Sequence, residues 1–176
     1  MSGWVTWGLF LAWLLHDIEE LITTPGWGRR NVPRLRRLYP WAPDRLWSRM
    51  DTSRSHVTIA ITIVGLFMLA AAAAGASSAG ASWFYQAALI GFGIHGIGHL
   101  AMSALAHSYT PGVLTTPIIV LPFSLWAWRT LDQAGAVTAP AWNLLLALAL
   151  LPAVVLAAHA VATVMLSTLR TTRRPH

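Results

Sequence analysis

The chain has no cysteine and no lysine. Without cysteine there is no disulfide and no thiolate metal site, and the redox compartment is left open. Charge of either sign is scarce: 10% of the 176 residues are charged against 56% hydrophobic, and mean hydropathy is +0.56. That balance excludes a soluble domain of this length. It places the chain among integral membrane proteins, as a single transmembrane domain over 1–176. No internal repeat is visible, and Ala70–Ala76 is an alanine-rich span end rather than a separate segment.

What charge there is has been sorted. All twelve basic residues are arginine, and eight of them fall within residues 24–56, opposed there only by Asp44 and Asp51. The other four are matched by four acids elsewhere in the chain. The pI near 11.3 therefore reflects one loop between two apolar runs. Such a loop acts as a topology signal and a surface for anionic headgroups, not as a nucleic-acid interface, for which no dedicated fold is visible.

A membrane span needs about 20 apolar residues. Five stretches qualify: roughly 3–23, 57–77, 82–106, 113–131 and 142–169. The first lacks a basic leader, and acids interrupt it where cleavage would fall, so it is not read as a signal peptide. The arginine bias of loop 24–56 and of the tail at Arg170, Arg173 and Arg174 predicts N-terminus out and C-terminus in. The expected fold is an all-α bundle of about five transmembrane helices in a bacterial plasma membrane. Within loop 24–56, Trp27, Trp41 and Trp47 alternate with leucine and arginine. Pro40 and Pro43 break the loop, and Asp44 is placed to cap a short helix to Met50. This reads as an interfacial, cytoplasmic segment. Pro117 and Pro122 should bend the fourth span and Pro152 the fifth. Gly91, Gly93, Gly96 and Gly98 should let a neighbour approach the third.

Against this background the run His16-Asp17-Ile18-Glu19-Glu20 is out of place. An ionised side chain in a span costs about 2.5–3.5 kcal/mol, less near a helix end. On a helix Glu19 lies about 60° to one side of His16 and Glu20 about 40° to the other, one polar strip; Asp17 stands about 100° from His16, nearer the flank. The third span adds His95 and His99, whose spacing stacks both imidazoles on one face, as in paired helical metal ligands. His159 in the fifth span falls at a similar depth. His56 opens the second span, and His107 follows the third. Glutamate and histidine without cysteine suit zinc, iron or manganese, one or two ions. A divalent cation also relieves the repulsion between two adjacent carboxylates in low dielectric. Taken singly, the histidines read more often as structural hydrogen-bonders than as ligands, and Glu19 and Glu20 often as interfacial groups; the combination favours metal.

The signature His16-Asp17-Ile18-Glu19-Glu20, a later His99 and the run Tyr109-Thr110-Pro111-Gly112 resemble the HXXEE-domain membrane proteins over roughly residues 7–125. The extra span with His159 lies outside that resemblance. The family is uncharacterised. The resemblance implies an enzyme with His16, Glu19, Glu20, His99 and Tyr109 in its site, and it names no substrate. On its own chemistry, Pro111-Gly112 suits a type II turn, with Tyr109 as an interfacial anchor or a hydrogen-bond donor over the site.

The reading of the sequence is thus a metal-dependent membrane enzyme acting on a lipid-soluble substrate. His16, Glu19, Glu20, His95, His99 and His159 are the expected metal ligands, and Glu19, Glu20 and Tyr109 the candidate catalytic groups. The competing readings are a proton- or ion-coupled carrier, against which no inverted repeat is evident, and a structural subunit with polar packing.

Overall fold

The structure, a computed structural model, describes residues 3–172, and it is helical throughout, with no strand among the described residues. In chain order the helices are α1 (Gly3–Thr23), α2 (Trp27–Leu38), α3 (Asp44–Ser48), α4 (Arg54–Ser77), α5 (Trp83–Ala106), α6 (Leu121–Gln133) and α7 (Pro140–Thr172). A π-helical turn, Thr116–Val120, leads directly into α6. Helix α4 packs against α1, α5 and α7, and α5 packs in turn against α6 and α7.

Among the described residues three helices are long and apolar enough to cross a membrane, α4, α5 and α7, rather than the five expected. The physical reasons lie in the other two. Helix α1 has the length, at 21 residues, but gathers Asp17, Glu19 and Glu20 at one end. The stretch 113–131 is divided. Pro117 sits at the start of the π turn and Pro122 at the start of α6, positions where a missing N–H does no harm. The resulting α6 has 13 residues, about 20 Å at 1.5 Å per residue, short of a hydrocarbon core of about 30 Å. Helix α7 has the opposite character. At 33 residues it continues uninterrupted past Pro152 and extends further than a core requires. Large apolar side chains such as Leu66, Ile97, Leu148 and Leu156 stand exposed along these helices, as a lipid-facing surface requires. Trp4, Trp83 and Trp142 stand exposed at the starts of α1, α5 and α7, where an interfacial aromatic belt would lie. The chain is a membrane protein on this evidence. Of the arginine tail used to orient it, Arg173 and Arg174 lie outside the described residues.

The core is made by close approach. The indole of Trp13 lies against Gly65 of α4, where an added Cβ would stand 2.5 Å from the ring. Gly91 faces Leu151 of α7, and Gly93 and Gly96 face Ser124 and Val120, while Gly98 meets nothing within 4 Å. Three of the four glycines expected to admit neighbours therefore do so. At the end of the bundle where α5 begins, fully buried Gln86 and Asn143 form a polar knot. Gln86 donates to the carbonyls of Gly80 and Ala136 at 2.9 and 2.8 Å and accepts from Asn143 Nδ2 at 2.6 Å. This satisfies the loop before α7 and fixes the start of that helix against α5.

The arginine-rich segment is helical in two pieces. Pro43, not Asp44, occupies the N-cap of α3, with no side-chain cap; Asp44 is the first helical residue and pairs with Arg36 at 3.1 Å on the surface. Leu35, Trp47 and Ala106 form a small second core with Trp27, Tyr39 and Met50 around it. Through it, and through Tyr39 Oη donating to the Leu105 carbonyl at 2.7 Å, the segment grips the C-terminal end of α5.

Candidate metal centre

One face of α1 meets one face of α5. His16 is fully buried, and His95 and His99 lie one turn apart with their rings edge to face at 4.4 Å. His99 Nε2 is 2.8 Å from His95 Nε2, 3.3 Å from His16 Nε2 and 3.3 Å from Glu20 Oε1. One ligand atom from each of His16, Glu20, His95 and His99 lies within 4.8 Å of the others. Around a tetrahedral ion with bonds of about 2.0–2.1 Å, donors stand about 3.3 Å apart. Two of the three separations match that edge, and the His95–His99 pair is tighter.

The outer nitrogens of two rings are already committed. His99 Nδ1 donates to the Pro111 carbonyl at 2.7 Å. His16 Nδ1 lies 2.8 Å from Thr115 Oγ1, and that hydroxyl donates to Glu19 Oε2 at 2.6 Å. The Thr115 proton is spent on the carboxylate, so the hydroxyl accepts from His16 Nδ1–H. Both imidazoles are thereby held with the proton on Nδ1, and each turns an Nε2 lone pair toward the shared point. This is the arrangement by which second partners orient histidine ligands. Lone pairs at such separations repel unless a cation or a proton lies between them.

Glu19 faces away from the group. Its carboxylate accepts from the Thr115 backbone at 2.8 Å, the Leu114 backbone at 3.2 Å and the Tyr109 hydroxyl at 2.7 Å, besides the Thr115 hydroxyl. It ties the segment 109–115 to α1. That segment opens with the expected turn: Val113 N–H donates to the Thr110 carbonyl at 3.2 Å and Gly112 has φ +83°, which is type II geometry. Gly112 lies flat on the two imidazoles, where a Cβ would stand 2.6 Å from His99 Nδ1 and 2.9 Å from His16 Cε1. Partial burial, with the Glu19 carboxylate beside it, raises the Tyr109 phenol above its ordinary value and keeps it a donor. The arginine-rich segment holds this turn from outside. Trp27 Nε1 donates to the Tyr109 carbonyl at 3.0 Å and Arg34 Nη2 to Ser108 Oγ at 2.6 Å.

Of the six residues expected as ligands, the structure brings four together: His16, Glu20, His95 and His99. Glu19 is taken up by the turn. His159 is not in the group; its Nδ1 lies 2.8 Å from His56 Nε2, with the rings stacked at 5.1 Å, because α7 meets α4 rather than α1 at that level. Of the three candidate catalytic residues, Tyr109 reaches the group only through Glu19, and Glu20 belongs to it directly. His107 ends α5 in a left-handed conformation, φ 47°. Thr115 and the Pro111 carbonyl were not legible as site groups. A threonine in an apolar run gives no signal, and a carbonyl has no identity in a sequence.

Residues 7–127 match the family described as a protein of unknown function with HXXEE motif. No curated protein and no solved structure matches the chain significantly.

Proposed function

The chain belongs to the HXXEE family, and from that premise we propose that it is a metal-dependent integral membrane enzyme acting on a lipid-soluble substrate. The observation that carries the reading is the convergence of three Nε2 atoms and one carboxylate, with two of the imidazoles held in the ligating tautomer from behind. Four donors in one group support a single ion, and nitrogen and oxygen donors without sulfur suit zinc, iron or manganese. The ion would act as a Lewis acid or activate a bound water. Glu20, the one acid among the four, would either help hold the ion or serve as the general base beside it. The arginine-rich segment grips the turn over this site, and its charge supports a cytoplasmic position for that end of the bundle, against anionic headgroups.

The second reading, a proton relay, is favoured by the 2.8 Å separation of His95 and His99 Nε2, which suits a shared proton. Comparing membrane lipid extracts from cells producing the wild type or Glu20→Gln separates the two. The enzyme reading expects at least one apolar species whose mass differs between extracts by a chemical group, and whose conversion by purified protein stops on chelation. Identical profiles, with chelator-insensitive proton uptake by liposomes carrying the protein, would replace it with the relay.

A further inference from the structure

Beside the four-donor group, between α1, α4, α5 and α7, lies a cavity of about 170 Å³. Its walls are apolar, among them Trp13, Val64, Met68, Phe92, Leu151 and Val155. Its polar lining includes Glu20 and His95, two members of the group, together with Asp17 and His159. Asp17 is 7% exposed, and its carboxylate accepts no hydrogen bond and joins no ion pair among the described residues. Of the other acids of α1, Glu19 is taken up by the turn, and Glu20 stands 3.3 Å from His99 Nε2 within the four-donor group. Asp17 lines the cavity wall, and a carboxylate in such an apolar setting is most stable where something in the cavity donates to it.

We propose that this cavity is the substrate chamber and that Asp17 is a positioning residue for a hydroxyl or amine on the substrate. The assignment of its occupant as substrate rests on the metal-enzyme reading; the binding itself does not. Size limits what enters. An engineered apolar cavity of about 150 Å³ holds benzene, and drug-sized ligands need about 300 Å³ or more. The chamber therefore takes a ring or a short chain segment next to a donor group, not a whole lipid. Glu20 and His95 are then presented to atoms close to that donor group. The α7 wall, Leu151, Val155 and His159, comes from outside the region matched by the family, 7–127.

The test is photolabelling of the purified full chain in nanodiscs with a diazirine-bearing octanol and, separately, its methyl ether, with adducts mapped by peptide mass spectrometry. The proposal expects adducts on Trp13, Met68 or Leu151, with the alcohol labelling about fivefold more than the ether, the value of one hydrogen bond. Asp17→Leu should erase that preference while leaving ether labelling in place, and Val64→Trp should remove both by filling the chamber. Equal labelling by the two probes, or adducts confined to lipid-facing side chains such as Leu66 and Leu148, would overturn it. Should Asp17→Leu fail to fold, the alcohol-to-ether ratio in the wild type with the Val64→Trp control still decides. Metal content is measured on the same samples. Alcohol-selective labelling of protein that takes up no zinc, iron or manganese on reconstitution would keep the chamber and remove the metal centre. Unselective labelling of metal-loaded protein would remove Asp17's role and keep the centre.

Discussion

Gly112→Ala is expected to lower metal affinity about 100-fold, the upper end of what second-partner changes do, although the residue carries no functional group. Two effects add. The backbone at φ +83° is a conformation that costs an L-residue about 1–2 kcal/mol. The new methyl would also stand 2.6 Å from the His99 ring and 2.9 Å from that of His16, so both imidazoles must turn. Turning them breaks the bond from His99 Nδ1 to the Pro111 carbonyl, which holds the ligating tautomer. Competition with a chromophoric chelator would measure the affinity, and Gly98→Ala is the control, since a Cβ there meets nothing within 4 Å. Equal affinities for Gly112→Ala and wild type would show that the turn does not set the imidazoles.

The second large effect is expected at Glu19. Removing its carboxylate by Glu19→Ala takes the shared acceptor from two backbone N–H groups and two hydroxyls, and should destabilise the protein by about 3 kcal/mol, since bonds to charged groups are worth about 1.5–3 kcal/mol each and partial exposure discounts the sum. Tyr109→Phe removes one of the four and should cost about 1 kcal/mol. The loss at Glu19 should appear in metal-free protein, as a lower denaturation midpoint followed by tryptophan fluorescence. A ligand role predicts another pattern: metal binding abolished and metal-free stability unchanged.

The distinction between Glu19 and Glu20 shows where the sequence stops. Helical geometry puts both within about 60° of His16 and cannot say which side faces α5. The choice is made by contacts across some ninety residues of chain, from Thr115 to Glu19, which only the packed structure supplies. Asp17 is a related case. Measured against His16 it points away, but it lies about 60° from Glu20, the spacing of an i, i+3 pair, and the two share the cavity. The pairing of His95 with His99 was legible because it is local to one helix. His159 was misplaced because depth in a membrane fixes height and not rotation; α7 turns it toward His56. The division at Pro117 and Pro122 was legible as a bend. That it leaves α6 only 13 residues long was not, because no local pattern marks the π turn, whose Thr116 and Val120 lie against Gly96.

The most direct measurement is the metal content of the full chain, purified in detergent without chelators, beside a Glu20→Gln/His99→Leu variant. Elemental analysis should find about one equivalent of zinc, iron or manganese per chain in the wild type, and the variant should lose it while keeping its helical circular dichroism. Wild-type protein that holds no metal after reconstitution with each of the three ions, or a folded variant that retains as much as the wild type, would contradict a metal centre at His16, Glu20, His95 and His99.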